Sequence, residues 1–174
     1  MLLNPAREVK LMAADPKNSG EKLIASNPTA RHDFFIDEVV EAGLVLTGTE
    51  VKSLRTQTPN LRDSFVDVHP SGGVLEAWLL NMHIAPYAHG NIWNHEPLRK
   101  RKLLLQRKQI DRIFGAITKD GITVVPLRIY FKTGIAKIEL GLGKGKKKHD
   151  KRDDVKKKTA EREMAQAKKQ RQRG

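Results

Sequence analysis

The sequence predicts a mainly β protein: one small antiparallel barrel of about six strands, two or three flanking helices and a disordered basic tail. Three observations carry this. Short β-rich runs are joined by hairpin-type turns, and helical periodicity is confined to two segments without strand–helix alternation. Charge also changes abruptly near residue 144. The chain has 174 residues, with 33 Lys+Arg and 20 Asp+Glu, net +13. Residues 144–174 alone hold 14 basic and 5 acidic residues, net +9, leaving 19 and 15, net +4, for the rest.

The elements follow in order. Residues 1–25 are polar and broken by Pro, Arg, Glu and Lys, and read as an unstructured extension. MAADPKNSGEK from Met12 resembles an ordinary N-terminus, so Met1 and Met12 both stand as starts. The domain is expected over 26–143. Residues 34–47, FFIDEVVEAGLVLT, give two β-rich runs around a turn at Glu41-Ala42-Gly43. GTEVKSLRTQ is a short amphipathic helix with Val51 and Leu54 on one side and Thr49 as candidate N-cap, ended by Pro59-Asn60. SFVDVH alternates as a strand, Pro70-Ser71-Gly72-Gly73 turns, and residues 74–84 return. A loop rich in turn formers and aromatics follows. RKRKLLLQRKQIDRIFGAI places Leu103, Ile110, Ile113, Phe114 and Ile117 on one helical stripe opposite a basic face, and Gly121 stops it. Residues 122–132 form a strand that Pro126 confines to an edge or a bulge. Thr133-Gly134 turns, and IAKIELGL returns. An oligonucleotide-binding type of barrel fits this size and strand count.

Composition excludes several chemistries. With no Cys, disulfides and thiolate sites are absent. No run of 18 apolar residues spans a membrane, and the first residues do not form a secretory signal, so a soluble, cytoplasmic protein without membrane contact is expected. His83, His89 and His95 recur every six residues, outside the spacings of zinc sites, and read as strand and loop imidazoles, so no metal is expected. Asp37, Glu38 and Glu41 have no nucleophile or base motif beside them; no catalytic residue and no cofactor is expected. Gly141-Leu-Gly-Lys-Gly145 lacks the ending of a phosphate-binding loop and reads as a hinge between barrel and tail.

Charge points to a polyanion. The tail has only Val155 and Met164 as large apolar groups, too few to offset its ordering entropy when free. DVKKKTAEREMAQAKK is nevertheless made of good helix formers. In the body, Lys52 and Arg55 lie on the first helix, and Arg99, Lys100, Arg101, Lys102, Arg107 and Lys108 cluster before and along the second. Trp78, Tyr87 and Trp93 are available to stack on bases.

NPTARHDFFI (27–36), EAGL (41–44), GTEVKSLR (48–55), NMHIAPYAHGNIWNHEP (81–97), RKLLL (101–105) and GKGKKKHDKR (143–152) stand in an order and spacing that closely resemble the small protein B family, the bacterial partner of transfer-messenger RNA. The resemblance covers about residues 25–160. It implies an oligonucleotide-binding-like barrel and a monomeric binding factor. That factor would hold the transfer-RNA-like part of transfer-messenger RNA and bring it to ribosomes stalled without a stop codon. By motif match it implies RNA contacts at Asn27, Glu41 and Leu104, with Arg31, Glu50, Lys52, Lys102 and Arg107 as neighbouring candidates. It further implies a tail that enters the small-subunit decoding centre and the empty mRNA channel through Lys144, Lys146, Lys147, Lys148, His149, Asp150, Lys151 and Arg152. A general RNA-binding barrel explains the charge but not the motifs. An RNA-processing enzyme needs an acid–base or metal cluster that the sequence does not offer.

Overall fold

The computed structural model describes residues 20–147 and, beyond them, Asp150, Thr159, Glu163 and Met164. Seven antiparallel strands are present: β1 (Glu21–Ser26), β2 (Phe34–Leu44), β3 (Phe65–Ser71), β4 (Val74–Leu80), β5 (Arg101–Leu104), β6 (Thr123–Lys132) and β7 (Ile135–Gly145). Six of them close a ring in the order β6-β3-β4-β5-β2-β7, with β7 pairing back to β6. β1 adds to the second half of β6, from Glu21 opposite Lys132 to Ser26 opposite Arg128. Three helices flank the ring: α1 (Pro28–Asp33), α2 (Gly48–Thr56) and α3 (Arg107–Asp120).

Alternation builds the core. In β4, Ala77 and Leu79 are buried while Trp78 faces outward; in β7, Ala136, Ile138, Leu140 and Leu142 fill the ring. Leu54 of α2 and Ile113 of α3 join the same cluster, with Ile110, Phe114 and Ile117 packed against it. The expected stripe on α3 is therefore its core face. A smaller cluster of Ala30, Val125 and Leu127 lies under α1.

The hairpin turns fall where the sequence puts them. Gly72-Gly73 and Thr133-Gly134 link paired residues, all four with positive φ, as two-residue turns matching strand twist require. The register of β6 against β7 shifts between Pro126 and Arg128, the bulge expected at Pro126. Gly121 ends α3 in the left-handed conformation.

Five expectations are corrected. Residues 21–25 belong to β1, not to an unstructured extension, and α1 follows directly with Asn27 as its cap. Glu41-Ala42-Gly43 is not a turn: β2 runs unbroken through it. Gly43 is there to leave room, since a Cβ on it would lie 3.2 Å from the Leu104 Cβ. Arg101–Leu104 is a strand, because Arg101 and Leu103 point inward and Lys102 and Leu104 do not. Gly141–Gly145 is not a hinge but the end of β7, paired with β2 from Val39 to Phe34. The cap of α2 is Thr47, whose backbone N–H donates to the Glu50 carboxylate at 2.8 Å; Thr49 instead meets His95 Nδ1 at 3.0 Å.

Candidate nucleic-acid interface

The basic segment before α3 is anchored by one acid. Glu50 leaves the first turn of α2 for the interior, where it is 0% exposed, as is Arg101. Arg101 Nε donates to Glu50 Oε1 at 2.8 Å, and Arg99 donates to both carboxylate oxygens at 2.9 and 2.5 Å. The other Arg101 nitrogens donate to the carbonyls of Met82, Arg99 and Pro97. Burial works to raise the Glu50 carboxyl. The Arg99 hydrogen bonds, the Thr47 N–H and the Arg101 charge outweigh it and hold the carboxyl below its ordinary range. Glu50 therefore offers no atom to an external partner: the proposed contact at this position is corrected to a structural one. Its effect is to fix where β5 begins and so where Lys102 and Leu104 emerge.

Those two residues open onto a groove of about 720 Å³ between β4, β5, β2, β7 and the start of α3. Glu41, Lys102, Leu104 and Arg107 all line it, together with Lys137 and Gln109. Leu104 lies over the bare Gly43 and is 57% exposed. Lys102 pairs with Glu76 on β4. On the neighbouring strands Tyr130 Oη donates to Glu41 Oε2 at 2.5 Å, and the ammonium groups of Lys132 and Lys137 lie 3.5 and 3.7 Å from the same carboxylate. The Tyr130 hydrogen bond first, then the two lysines, hold the Glu41 carboxyl below its ordinary range against partial burial. Burial and the same bond push the Tyr130 phenol up. Glu41 is thus a fixed, half-exposed, ionised acceptor among cations. It can take hydrogen bonds from base amino groups or ribose hydroxyls, while Lys102, Arg107 and Lys137 suit phosphates. Lys137 and Tyr130 escaped the sequence reading, because an outward Lys and a tyrosine in alternating strands carry no local signal.

The remaining candidates scatter. Asn27 does not face the groove: its side chain caps α1 and donates to the carbonyls of Leu61 and Pro126, both at 3.2 Å, joining three elements. Arg31 is exposed on α1, and its carbonyl accepts from Lys146 Nζ at 3.0 Å. Lys52 is exposed on α2, 5.7 Å from the Tyr87 ring centre. In the tail, Lys144 is exposed at the end of β7, Lys146 also lies over the Phe35 ring, and the Lys147 N–H donates to the Asp150 carboxylate at 3.0 Å. Lys148, His149, Lys151 and Arg152 lie outside the described residues. The three histidines spaced six apart go to separate places. His95 is buried between Thr49 and the Ile84 carbonyl, His89 packs edge-on to Tyr87, and His83 is exposed. Among the described residues no three metal-ligating side chains gather.

A family model described as SmpB protein matches residues 24–170. The chain belongs to the SmpB family. SmpB relatives called SsrA-binding protein are 58% identical in Pelobacter propionicus (148 residues, 85% of this chain and 95% of that one) and 54% in Geobacillus thermodenitrificans (157 residues, 90% and 98%). A solved chain described as "tmRNA-SmpB: a journey to the center of the bacterial ribosome" shares 44% identity and a TM-score of 0.58 with this one. That likeness covers 75% of this chain and 93% of that chain. The relatives are named for binding, not for catalysis.

Proposed function

We propose that the chain binds transfer-messenger RNA through the groove beside β5 and carries it to stalled ribosomes, where the tail enters the decoding centre and empty mRNA channel. The observation that carries this is the convergence of Glu41 on β2 with Lys102, Leu104 and Arg107 of the β5–α3 stretch, about 60 residues later, in one groove. The groove offers an exposed apolar side chain, a fixed carboxylate and several cations. That combination suits a folded RNA read by shape, base edge and backbone. The relatives' name and the tmRNA-SmpB neighbour support the same partner and the ribosome as the place of action. That place is the cytoplasm, and no helix among the described residues is long and apolar enough to cross a membrane.

In this reading His149 stacks on a ribosomal RNA base, and Asp150, Lys151 and Arg152 support accommodation. The cationic tail suits an RNA-lined channel. The test is to purify the chain from cells with its RNA and to compare Leu104→Asp. Wild type should retain one dominant structured RNA of transfer-messenger size. L104D should lose it, by at least roughly tenfold in affinity, while its melting temperature stays near wild type, since Leu104 is outside the core. Heterogeneous RNA on wild type, or equal retention by L104D, would overturn the reading.

A further inference from the structure

Beyond the groove, the outer face of β3, β4 and β5 carries a second feature that RNA binding of the folded partner alone does not require. Trp78 is half-buried on the solvent side of β4, with its chain neighbours Ala77 and Leu79 supplying the core. On β3 the His69 ring lies parallel to the indole, 8° apart in plane with centres 6.3 Å apart. Asp67 Oδ2 sits 3.4 Å from His69 Nδ1 and orients that ring. Lys100 and Lys102 place their ammonium groups 5.3 and 5.9 Å from the Trp78 ring centre. Lys100 is exposed and has no acidic partner among the described residues.

We infer that Trp78 and His69 form a stacking platform for an unpaired base of the RNA held in the groove, with Lys100 and Lys102 on the phosphates to either side. The inference rests on the function proposed above and names a contact that the groove does not contain. Two observations choose RNA over a protein partner. The platform is continuous with the groove, because Lys102 is the register partner of Trp78 and lines the groove as well. It also pairs planar rings with cations, the combination that takes up single-stranded nucleic acid without reading sequence. A helical stem offers no free base face, so the occupant is a loop or junction nucleotide next to the stem in the groove.

The chain has two tryptophans. Trp93→Phe, at a position 83% exposed, leaves Trp78 as the only indole. Adding a transfer-messenger RNA transcript to full-length W93F should quench the Trp78 emission along the binding curve measured by gel shift. Trp78→Ala should lower affinity roughly tenfold, Trp78→Phe should keep most of it, and His69→Ala should cost a few-fold. Binding at wild-type affinity with Trp78 emission unmoved would overturn the platform and leave the groove intact. The quench is read on a chain that keeps Trp78, so it decides the matter even where W78A unfolds. Quenching by small ribosomal subunits but not by the RNA would overturn it equally. If L104D binds the transcript like wild type while Trp78 is still quenched, the groove reading fails and the platform stands. If the full chain does not bind the transcript, both fall.

Discussion

Glu50, itself fully buried, holds the fully buried Arg101 guanidinium and the partly exposed one of Arg99, so its removal should be far more costly than its place on a small amphipathic helix suggests. Glu50→Ala strands Arg101, 0% exposed, without its carboxylate. Breaking a buried pair on one side costs about 3–5 kcal/mol, a large part of a domain's stability. Urea denaturation should show a loss of that size in E50A and a smaller one in Glu50→Gln, which keeps shape but not charge. The pH dependence follows from the sign of the shift. The folded Glu50 carboxyl lies below its ordinary value of 4.5, so its contribution is present above that pH and lost as pH falls through the folded value. The stability gap between wild type and E50Q should therefore narrow progressively below about pH 4.5. A gap that stays constant to pH 3 would mean the carboxylate's charge is not what holds the network. Local reading could not find this role, since the partners of Glu50 lie 49 and 51 residues away. Glu41 was legible as a candidate contact only through its motif. Its fixing partners, Tyr130, Lys132 and Lys137, come from two strands close to the far end of the chain.

At the scale of elements, β7 is the seam of the barrel, pairing with β6 on one edge and β2 on the other. Its glycines serve that double pairing. A Cβ on Gly143 would fall 2.0 Å from the Phe35 carbonyl oxygen and 3.1 Å from the Ile36 Cα, backbone atoms that cannot rotate away. Gly143→Ala should cost about 1–3 kcal/mol, with the β2–β7 ladder opening first. Thermal melting and amide exchange of residues 34–40 would check it, and an unchanged melting temperature would show that β2 can shift at no cost. The same element explains what was and was not legible. Turns announced by Gly72-Gly73 and Thr133-Gly134, and the stripe of α3, are local signals and were read correctly. The run of glycines in β7 looked like a hinge because close approach of a partner strand 100 residues earlier leaves no local mark. RKLLL read as helix for the opposite reason: its inward Arg101 is tolerated only because of Glu50.

For the whole molecule, the proposed function divides the work between barrel and tail, and truncation should separate them. The cut belongs after Lys147 rather than at the glycines, because Lys144 and Gly145 still pair with β2 and the Lys146 N–H donates to the Asp33 carbonyl at 2.8 Å. A chain ending at Lys147 should bind transfer-messenger RNA within about threefold of wild type. It should also fail to support peptide tagging on stalled ribosomes in a reconstituted translation assay; tagging at the wild-type rate would refute the division. The charge break near residue 144 is visible from composition alone, whereas the groove became visible only when the ring closed. The pairing of β7 with β2 up to Gly145 has a mechanical consequence. Tension applied at the end of β7 along its axis acts at right angles to the hydrogen bonds on both of its edges. Those bonds are loaded together in shear rather than unzipped one by one, so a pull at Gly145 is passed as a rigid displacement to the face that carries Glu41 and Lys137.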